Sequence, residues 1–424
     1  PSRADGAPAP HSPPSNVGNA VDSAVDNTVS SAAPPASAAT VRKLRARDDF
    51  DRNVWCVMGA PLDVADVPEA LSILEGAVRD GERLSFVTPN VNWLVRALSD
   101  TEARRQIIDA DLSLADGAPL VAIARALGAP ITSRTAGSDL FEALRQRSAF
   151  DRPLKVYFFG GRDGSAEAAH AAVNADRGGL ASVGWQNPGF GSVEDMSAPH
   201  IIDAINAAAP DFIVVALGAA KGQAWIDRNQ AQLDAAAMAH LGAVVDFTAG
   251  AIERAPSWMA RSGLEWAWRI KAEPSLWKRY AEDAGALAAL SFKKLLPQLM
   301  RRKRARTGDM AQAACARAGE KTRITLSGAL VGAQLGAVRD AFREAARAGR
   351  PVVLDFAAST TIDHAFLGLV LMLEKHMARA GGHIELANVS DETISLFRGN
   401  AMDYPIVQYS DAAPAGAATD AAVA

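Results

Sequence analysis

Apolar runs of strand length recur along the first two thirds of the chain, and each ends in small or polar residues before a helical pattern begins. The runs are SFVTPN, LSLADG, LKVYFFGG, PDFIVVALG and AVVDFTAG. Strands that are apolar throughout are buried on both faces, which is typical of a parallel sheet covered by helices on each side. The sequence therefore predicts an α/β fold.

The composition changes along the chain and predicts six segments. The first is an arm poor in large apolar residues, which we expect to be disordered. The segments are 1–48, the disordered arm; 49–263, the α/β domain; 264–306, a basic helical appendage; 307–320, a polar linker; 321–410, a smaller α/β domain; and 411–424, a loose tail.

Overall charge and cysteine content exclude several classes of protein. The 424 residues carry a net charge of -4, so we expect no general attraction to nucleic acid. Cys56 and Cys315 fit no metal or redox spacing, which predicts free thiols in a reducing compartment. No apolar run reaches the roughly 18 residues that a spanning helix needs. We expect a cytoplasmic protein or one that lies on a membrane surface.

The segment from Arg269 to Arg306 reverses the sign of the charge. It contains eleven Lys or Arg residues against three acids, a local charge of +8, with aromatic residues interleaved. Such a helix suits an anionic membrane surface. The alternative is a solvated charged helix whose aromatic residues belong to the core.

Polar residues at the strand ends predict the position of a site. Ligands of open parallel sheets bind beyond the carboxyl ends of the strands, where Thr88, Asn90 and Asp116 fall. Asp116 could serve as a general base toward a hydroxyl group, or it could cap the following helix. The alternative for any single loop is that its Gly and Asn residues only form a tight turn and bind no ligand.

Other candidate sites carry weaker signals. Asp109 and Asp111 form an Asp-x-Asp pair that could bind a divalent ion, although the end of a helix is the favoured interpretation. The run VYFFGGRDGS has the order of a phosphate cradle but lacks the full dinucleotide spacing. The seven histidines form no ligand-spaced cluster. We therefore predict neither a metal nor a cofactor.

Motifs from about Val54 to about Asp283 resemble those of the WecG/TagA/CpsF glycosyltransferases, glycosyltransferase family 26. They are TPNVNWLV, ADLSLADGAPLV, TAGSDLF, VYFFGG, NPGF, LGAAKGQAWI, VDFTAGAIERAPSW and GLEWAWRIKAEPSLWKRY. The resemblance implies a Rossmann-like domain that transfers a sugar with inversion of configuration at the anomeric carbon and without a metal. It implies transfer from a UDP-sugar to a polyprenyl-diphosphate-linked acceptor in bacterial surface polysaccharide synthesis. The sugar would be N-acetylmannosamine, its uronate, glucose or a similar hexose.

The resemblance also implies roles for individual residues. Asp116 would be the general base, with Thr88 and Asn90 beside it on the donor and the acceptor. Gln223 would lie over the sugar or the uracil, but the family's Pro-Lys-Gln-Glu run reads Ala-Lys-Gly-Gln-Ala here, without the Glu. The other substrate-binding candidates are Asn92, Gly117, Gly137, Ser138, Asp139, Gly160, Gly161, Lys221 and, for the diphosphate, Arg254, Arg269 and Arg279.

Residues from about Thr322 to Val407 resemble a STAS domain, through VVLDFAASTTID and HAFLGLVLMLEKH. The helix start has Asp363, His364 and Ala365, so it offers no hydroxyl where regulatory members are phosphorylated. We therefore expect a flexibly tethered domain that docks a partner, is dispensable for chemistry and presents His364, Phe366 and Met372. The last two could equally be core. The alternative function for the whole chain is a non-catalytic regulator or scaffold that binds a nucleotide-sugar.

Overall fold

A computed structural model describes residues 44–147, 152–176, 178–252, 256, 259, 265–272, 274, 276–301 and 309–408. Within these residues, seven strands form a parallel sheet, which confirms the predicted fold class. Its strands are β1 (Arg45–Ala46), β4 (Glu82–Val87), β5 (Leu112–Ser113), β6 (Leu154–Gly160), β7 (Leu180–Gln186), β8 (Phe212–Ala216) and β9 (Ala237–His240). The order is β1-β4-β9-β8-β6-β7, with β5 also beside β4. A short antiparallel hairpin, β2 (Val54–Val57) and β3 (Ala60–Asp63), lies between β1 and β4 in the chain.

Helices cover both faces of this sheet, which explains why its central strands are apolar. The run AVVDFTAG, expected to be a strand, instead forms a helix, and the preceding residues Ala237–His240 form β9. Phe212, Ile213, Val214 and Val215 of β8 have no exposed surface because adjacent side chains enter different hydrophobic clusters. The helices are α1 (Val67–Asp80), α2 (Val91–Ala97), α3 (Thr101–Asp109), α4 (Ala118–Ala126), α5 (Gly137–Gln146), α6 (Ser165–Ala175), α7 (Pro199–Ala207), α8 (Ala219–Asn229) and α9 (Gly242–Thr248).

The appendage is helical, as predicted. It comprises α10 (Glu265–Ala272), α11 (Leu276–Leu290), a π-helical turn (Ser291–Leu295) and α12 (Leu296–Arg301). Leu290 is buried in a hydrophobic cluster with Leu94 of α2, while Gln298 of α12 donates to the Gly399 carbonyl in the second domain. None of the helices described is both long and apolar enough to pass through a lipid bilayer.

The second domain is a smaller α/β unit. Its sheet has the order β10-β11-β12-β13-β14, antiparallel at β10 and parallel elsewhere. The strands are β10 (Gln312–Ala318), β11 (Lys321–Leu330), β12 (Val352–Ile362), β13 (Ile384–Ala387) and β14 (Ile406–Val407), and the helices are α13 (Gly336–Ala348), α14 (His364–Arg379) and α15 (Asp391–Gly399).

Two predicted boundaries are wrong where the structure describes them. The expected linker at 307–320 contains β10, an Ala-rich strand that turns back onto β11 through Gly319 at φ +64° and packs Ala313 and Cys315 on the core. The expected disordered arm at 1–48 contains β1, which pairs with the start of β4. Residues 1–43 and the predicted tail at 411–424 lie outside the described residues.

The two domains share one hydrophobic core, so the expected flexible tether is wrong. Phe50, Val54 and Cys56 of the first domain lie in a single cluster with Phe342 and Phe366 of the second. The same cluster includes Met372, and His364 is also buried, so these two and Phe366 are interior residues and not an exposed docking face. The STAS-like domain therefore packs directly against the β2–β3 hairpin and is not connected to the first domain by a flexible linker alone.

The contact between α14 and β2 is close enough to exclude a methyl group. A Cβ added at Gly368 would lie 2.4 Å from the Val54 carbonyl oxygen, whereas one added at Gly76, inside α1, would meet nothing within 4 Å. Ala favours a helix over Gly by about 0.5–1 kcal/mol, so Gly76→Ala should raise the free energy of unfolding by that amount. Gly368→Ala should lower it by about 1–3 kcal/mol through overpacking. Urea unfolding of both variants measures the difference, and an equal gain in both would contradict the contact.

Candidate active site

Three loops meet at the carboxyl edge of the parallel sheet. The Asp116 backbone N–H donates to the Pro89 carbonyl at 3.0 Å, which joins the loops after β5 and β4. A Cβ added at Gly137 would lie 3.5 Å from Thr88 Cγ2 and 2.3 Å from Leu241 Cδ2. Thr88 and Asp116, which the strand-end pattern predicted to lie close together, are thus joined through Pro89, and Gly137, a candidate from the family resemblance, lies beside Thr88.

Asp116 lies in the turn that links β5 to α4. Gly117, at φ +104°, is the N-cap residue of α4. Asp116 precedes it and is therefore not the N-cap residue of this helix. The preceding carbonyl, of Ala115, accepts from the N–H of Thr135, whose hydroxyl donates to the Ala65 carbonyl. Backbone hydrogen bonds to Pro89 and from Thr135 therefore fix the main chain at half-buried Asp116.

Asn90 and Asn92 lie at the start of α2. The Asn90 side-chain oxygen accepts from the Trp93 N–H at 3.0 Å and so caps the helix. This gives Asn90 a structural task in addition to the predicted one. Both asparagines are exposed at the edge of the sheet, and Thr88 is half-buried beside them.

Gly160 is the last residue of β6, and Gly161 follows it. At this strand the direction in which the chain crosses the sheet reverses. The chain leaves β6 toward β7 on one side and leaves β8 toward β9 on the other, which is the usual position of a ligand crevice. A Cβ at Gly160 would lie 2.7 Å from the Ala216 carbonyl oxygen. The Ser165 hydroxyl donates to Asp246 at 3.0 Å, and the predicted phosphate cradle therefore also contains a carboxylate.

Lys221 and Gln223 begin α8 but face different surroundings. The Lys221 ammonium donates to the Gly191 carbonyl at 2.7 Å and holds the loop after β7. Gln223 is 0% exposed, and its amide donates to Asp227 at 2.9 Å. Burial raises the pKa of Asp227 to about 7. The Gln223 side chain is thus held inside the protein by Asp227.

His240 is a strand-end residue that sequence reasoning missed. It ends β9 between β4 and β8, and a Cβ at Gly222 would lie 2.2 Å from its Cδ2. Its Nε2 is buried without a hydrogen-bond partner among the described residues, and burial lowers its pKa to about 4. Metal-ligand spacing does not single out any histidine of this chain. The signal that could have found His240 is its position at the end of a strand.

The remaining predicted residues divide into three groups. Asp139 at the start of α5 lies 3.2 Å from Arg134, and Ser138 precedes it, half-buried, in the same turn. Arg254 lies outside the described residues, as do the side chains of Arg269 and Arg279. Asp109 ends α3 and binds Arg105, while Asp111 binds Lys375, which confirms the helix-end interpretation of the Asp-x-Asp pair.

Comparison with known proteins identifies the families of both domains. Residues 55–305 match the model of the Glycosyl transferase WecG/TagA/CpsF family, and residues 313–408 match a domain described as Mlab, STAS domain. An N-acetylglucosaminyldiphosphoundecaprenol N-acetyl-beta-D-mannosaminyltransferase of Bacillus spizizenii strain W23 is 29% identical over 216 residues, 51% of this chain and 82% of that protein. The protein of that name in Bacillus subtilis strain 168 is 27% identical over 199 residues, 47% of this chain and 75% of that protein. The chain belongs to the WecG/TagA/CpsF family of glycosyl transferases and carries a STAS domain at its carboxyl end.

Proposed function

We propose that the protein transfers a hexose from a UDP-sugar to a polyprenyl-diphosphate-linked sugar, with inversion and without a metal. The convergence of Asp116, Thr88 and Gly137 on one edge of the sheet carries the proposal. The names of the two Bacillus relatives favour N-acetylmannosamine as the donor sugar and an N-acetylglucosaminyl-diphosphate lipid as the acceptor. The reaction would serve surface polysaccharide synthesis at the cytoplasmic face of the plasma membrane.

The proposed reaction is a single in-line displacement. Asp116 takes the proton of the acceptor hydroxyl as that oxygen forms a bond to the anomeric carbon. The bond from the anomeric carbon to the diphosphate breaks on the opposite side, and UDP leaves with the electron pair. A positioned base of this kind contributes about 10²–10⁴-fold to the rate.

The departing diphosphate needs positive charge or backbone donors nearby. By resemblance, Arg254, Arg269 and Arg279 supply the charge. Gly137, the first residue of α5, lies beside Thr88, and the positive end of this helix therefore adds to the same region.

One observation favours a rival function, a regulator that binds nucleotide-sugar without turning it over. The run Ala-Lys-Gly-Gln-Ala departs from the family, and its Gln223 is turned into the interior. Asp116 at the carboxyl edge favours the enzyme instead.

A donor panel distinguishes the two functions. The full-length protein should transfer sugar from at least one of UDP-N-acetylmannosamine, its uronate and UDP-glucose to an N-acetylglucosaminyl-diphosphate lipid, as measured by mass spectrometry of the lipid. We expect turnover to continue in EDTA. Loss of transfer in EDTA that Mg²⁺ or Mn²⁺ restores would contradict metal independence. Binding of UDP without any transfer would favour the regulator.

Replacement of Asp116 tests the base. Asp116→Asn keeps the shape but removes the basicity, so turnover should fall by about 10²–10⁴-fold while the dissociation constant for UDP changes little. Asp203→Asn, an exposed carboxylate of α7, is the matched control and should retain full turnover. Normal turnover in Asp116→Asn would exclude Asp116 as the base.

We also propose that the appendage binds an anionic membrane surface, which would bring the site to its lipid-linked acceptor. Its helices leave large apolar side chains in solvent, with Trp277 55%, Phe292 73% and Met300 80% exposed. Lys278 and Lys293, both exposed, stand beside them, and a basic run follows Met300 in the sequence. Apolar insertion combined with positive charge is the usual basis of binding at a bilayer interface.

Vesicle sedimentation tests the membrane contact. Phe292→Ser together with Met300→Ser should reduce pelleting with phosphatidylglycerol vesicles at least several-fold, and added salt should weaken the binding of the unaltered protein. Ile406→Ser, which also removes a half-exposed apolar side chain but in β14, is the control. Equal pelleting by the double variant and the unaltered protein would contradict the proposed surface.

A further inference from the structure

A lysine of the second domain is buried against the strand that leads to Asp116. Lys375 lies in the apolar helix α14 and is 0% exposed. Its ammonium donates to Asp49 Oδ1 at 2.9 Å, to Asp111 Oδ1 at 3.0 Å and to the Ala110 carbonyl at 3.2 Å. All three acceptors belong to the first domain, and two of them directly precede β5.

Asp111 also contacts the central sheet. Its other oxygen, Oδ2, accepts from the Ser85 N–H at 2.9 Å and from the Ser85 hydroxyl at 3.2 Å. Ser85 lies in β4, three residues before Thr88, and Asp111 lies five residues before Asp116. Lys375 is therefore joined through one carboxylate to both strands whose ends carry the proposed site.

The neighbouring charges make this lysine necessary. Arg52 binds Asp49 and Asp63, and Asp63 in turn accepts from the Ser113 N–H of β5 at 2.7 Å. His376 also contacts Asp49, at 3.1 Å. Three carboxylates thus face two permanent cations, and only Lys375 of those two comes from the STAS domain. Without it, two unbalanced negative charges would remain next to β5, a state that buried groups relieve by moving or admitting water.

We propose that Lys375 is a positioning residue for sugar transfer, which makes the STAS domain a permanent part of the catalytic unit. The buried ammonium holds Asp111, Asp111 holds β5 against β4, and these strands set the position of Asp116 relative to Thr88. The inference rests on the proposed role of Asp116 as base. A displacement of about 1 Å at a reacting group can cost about 10²-fold in rate.

The test uses full-length variants, and it separates positioning from stability. Lys375→Met keeps the approximate shape of the side chain and removes its charge. We expect its turnover to fall about 10–100-fold with the UDP dissociation constant within about twofold, as a misplaced reacting group requires. Hydrogen–deuterium exchange should become faster at residues 110–117 and stay unchanged at 154–160 in β6.

Adding Asp111→Asn to Lys375→Met distinguishes the two roles. The second change removes the uncompensated carboxylate, so the melting temperature should recover. The link from α14 to β5 is still missing, so turnover should stay low. If Lys375 served stability alone, turnover would recover together with the melting temperature. If Lys375→Met does not fold, turnover and exchange are measured in the double variant instead.

Arg343→Met is the matched control. Arg343 is another cation of the second domain that binds carboxylates of the first, but these are Asp48 and Asp51, before the hairpin. Its loss should leave both turnover and exchange at 110–117 unchanged. Unaltered exchange at 110–117 in Lys375→Met, or unaltered turnover, would overturn the inference. Failure of the unaltered protein to transfer any sugar would instead refute the proposed function, while exchange would still decide whether Lys375 orders this segment.

Discussion

Helix α14 packs on its own sheet with one side and on the β2–β3 hairpin with the other, and the arrangement of both domains depends on this double contact. Twelve of its sixteen residues are buried, among them Phe366 and Met372. A helix that is apolar all round has to be covered on all sides. A separate STAS domain would expose half of this surface, and the hairpin would lose the cover over Val54 and Cys56. The shared core therefore makes one folding unit of two sequence families.

The ion pairs inside this contact determine how the domains are aligned. Burial alone would raise the pKa of Asp49, but the hydrogen bond from His376 and the charges of Lys375 and Arg52 hold it well below its usual range. Asp49 thus stays ionised. Buried ion pairs add little net stability, because the cost of desolvation offsets their attraction, but they tolerate few alternative arrangements. The apolar residues therefore supply most of the stability of the contact, while each ion pair requires its two partners to lie opposite each other.

The sequence was most informative where burial leaves a local pattern. Strands covered on both faces read as continuous apolar runs, so the parallel sheet and the strand-end position of Asp116 could be predicted. Contacts between distant residues leave no such pattern. Lys375, in the run LEKH, reads as an ordinary surface lysine, and β10 reads as a linker because its inward positions need only Ala313 and Cys315. At α8, the ring of His240 fills the space that a Cβ at Gly222 would need, a contact that no local pattern indicates.

The start of α14 is also fixed by side chains on either side of it. Asp363 caps the helix by accepting from the N–H groups of Ala365 and Phe366. The ring of His364 contacts the side chain of Gln298 in α12, the helix that also carries Met300 of the proposed membrane surface. The appendage is therefore in direct contact with the helix that carries Lys375. The appendage, the STAS domain and β5 thus form a continuous set of contacts from the apolar surface of the appendage to the loop of Asp116.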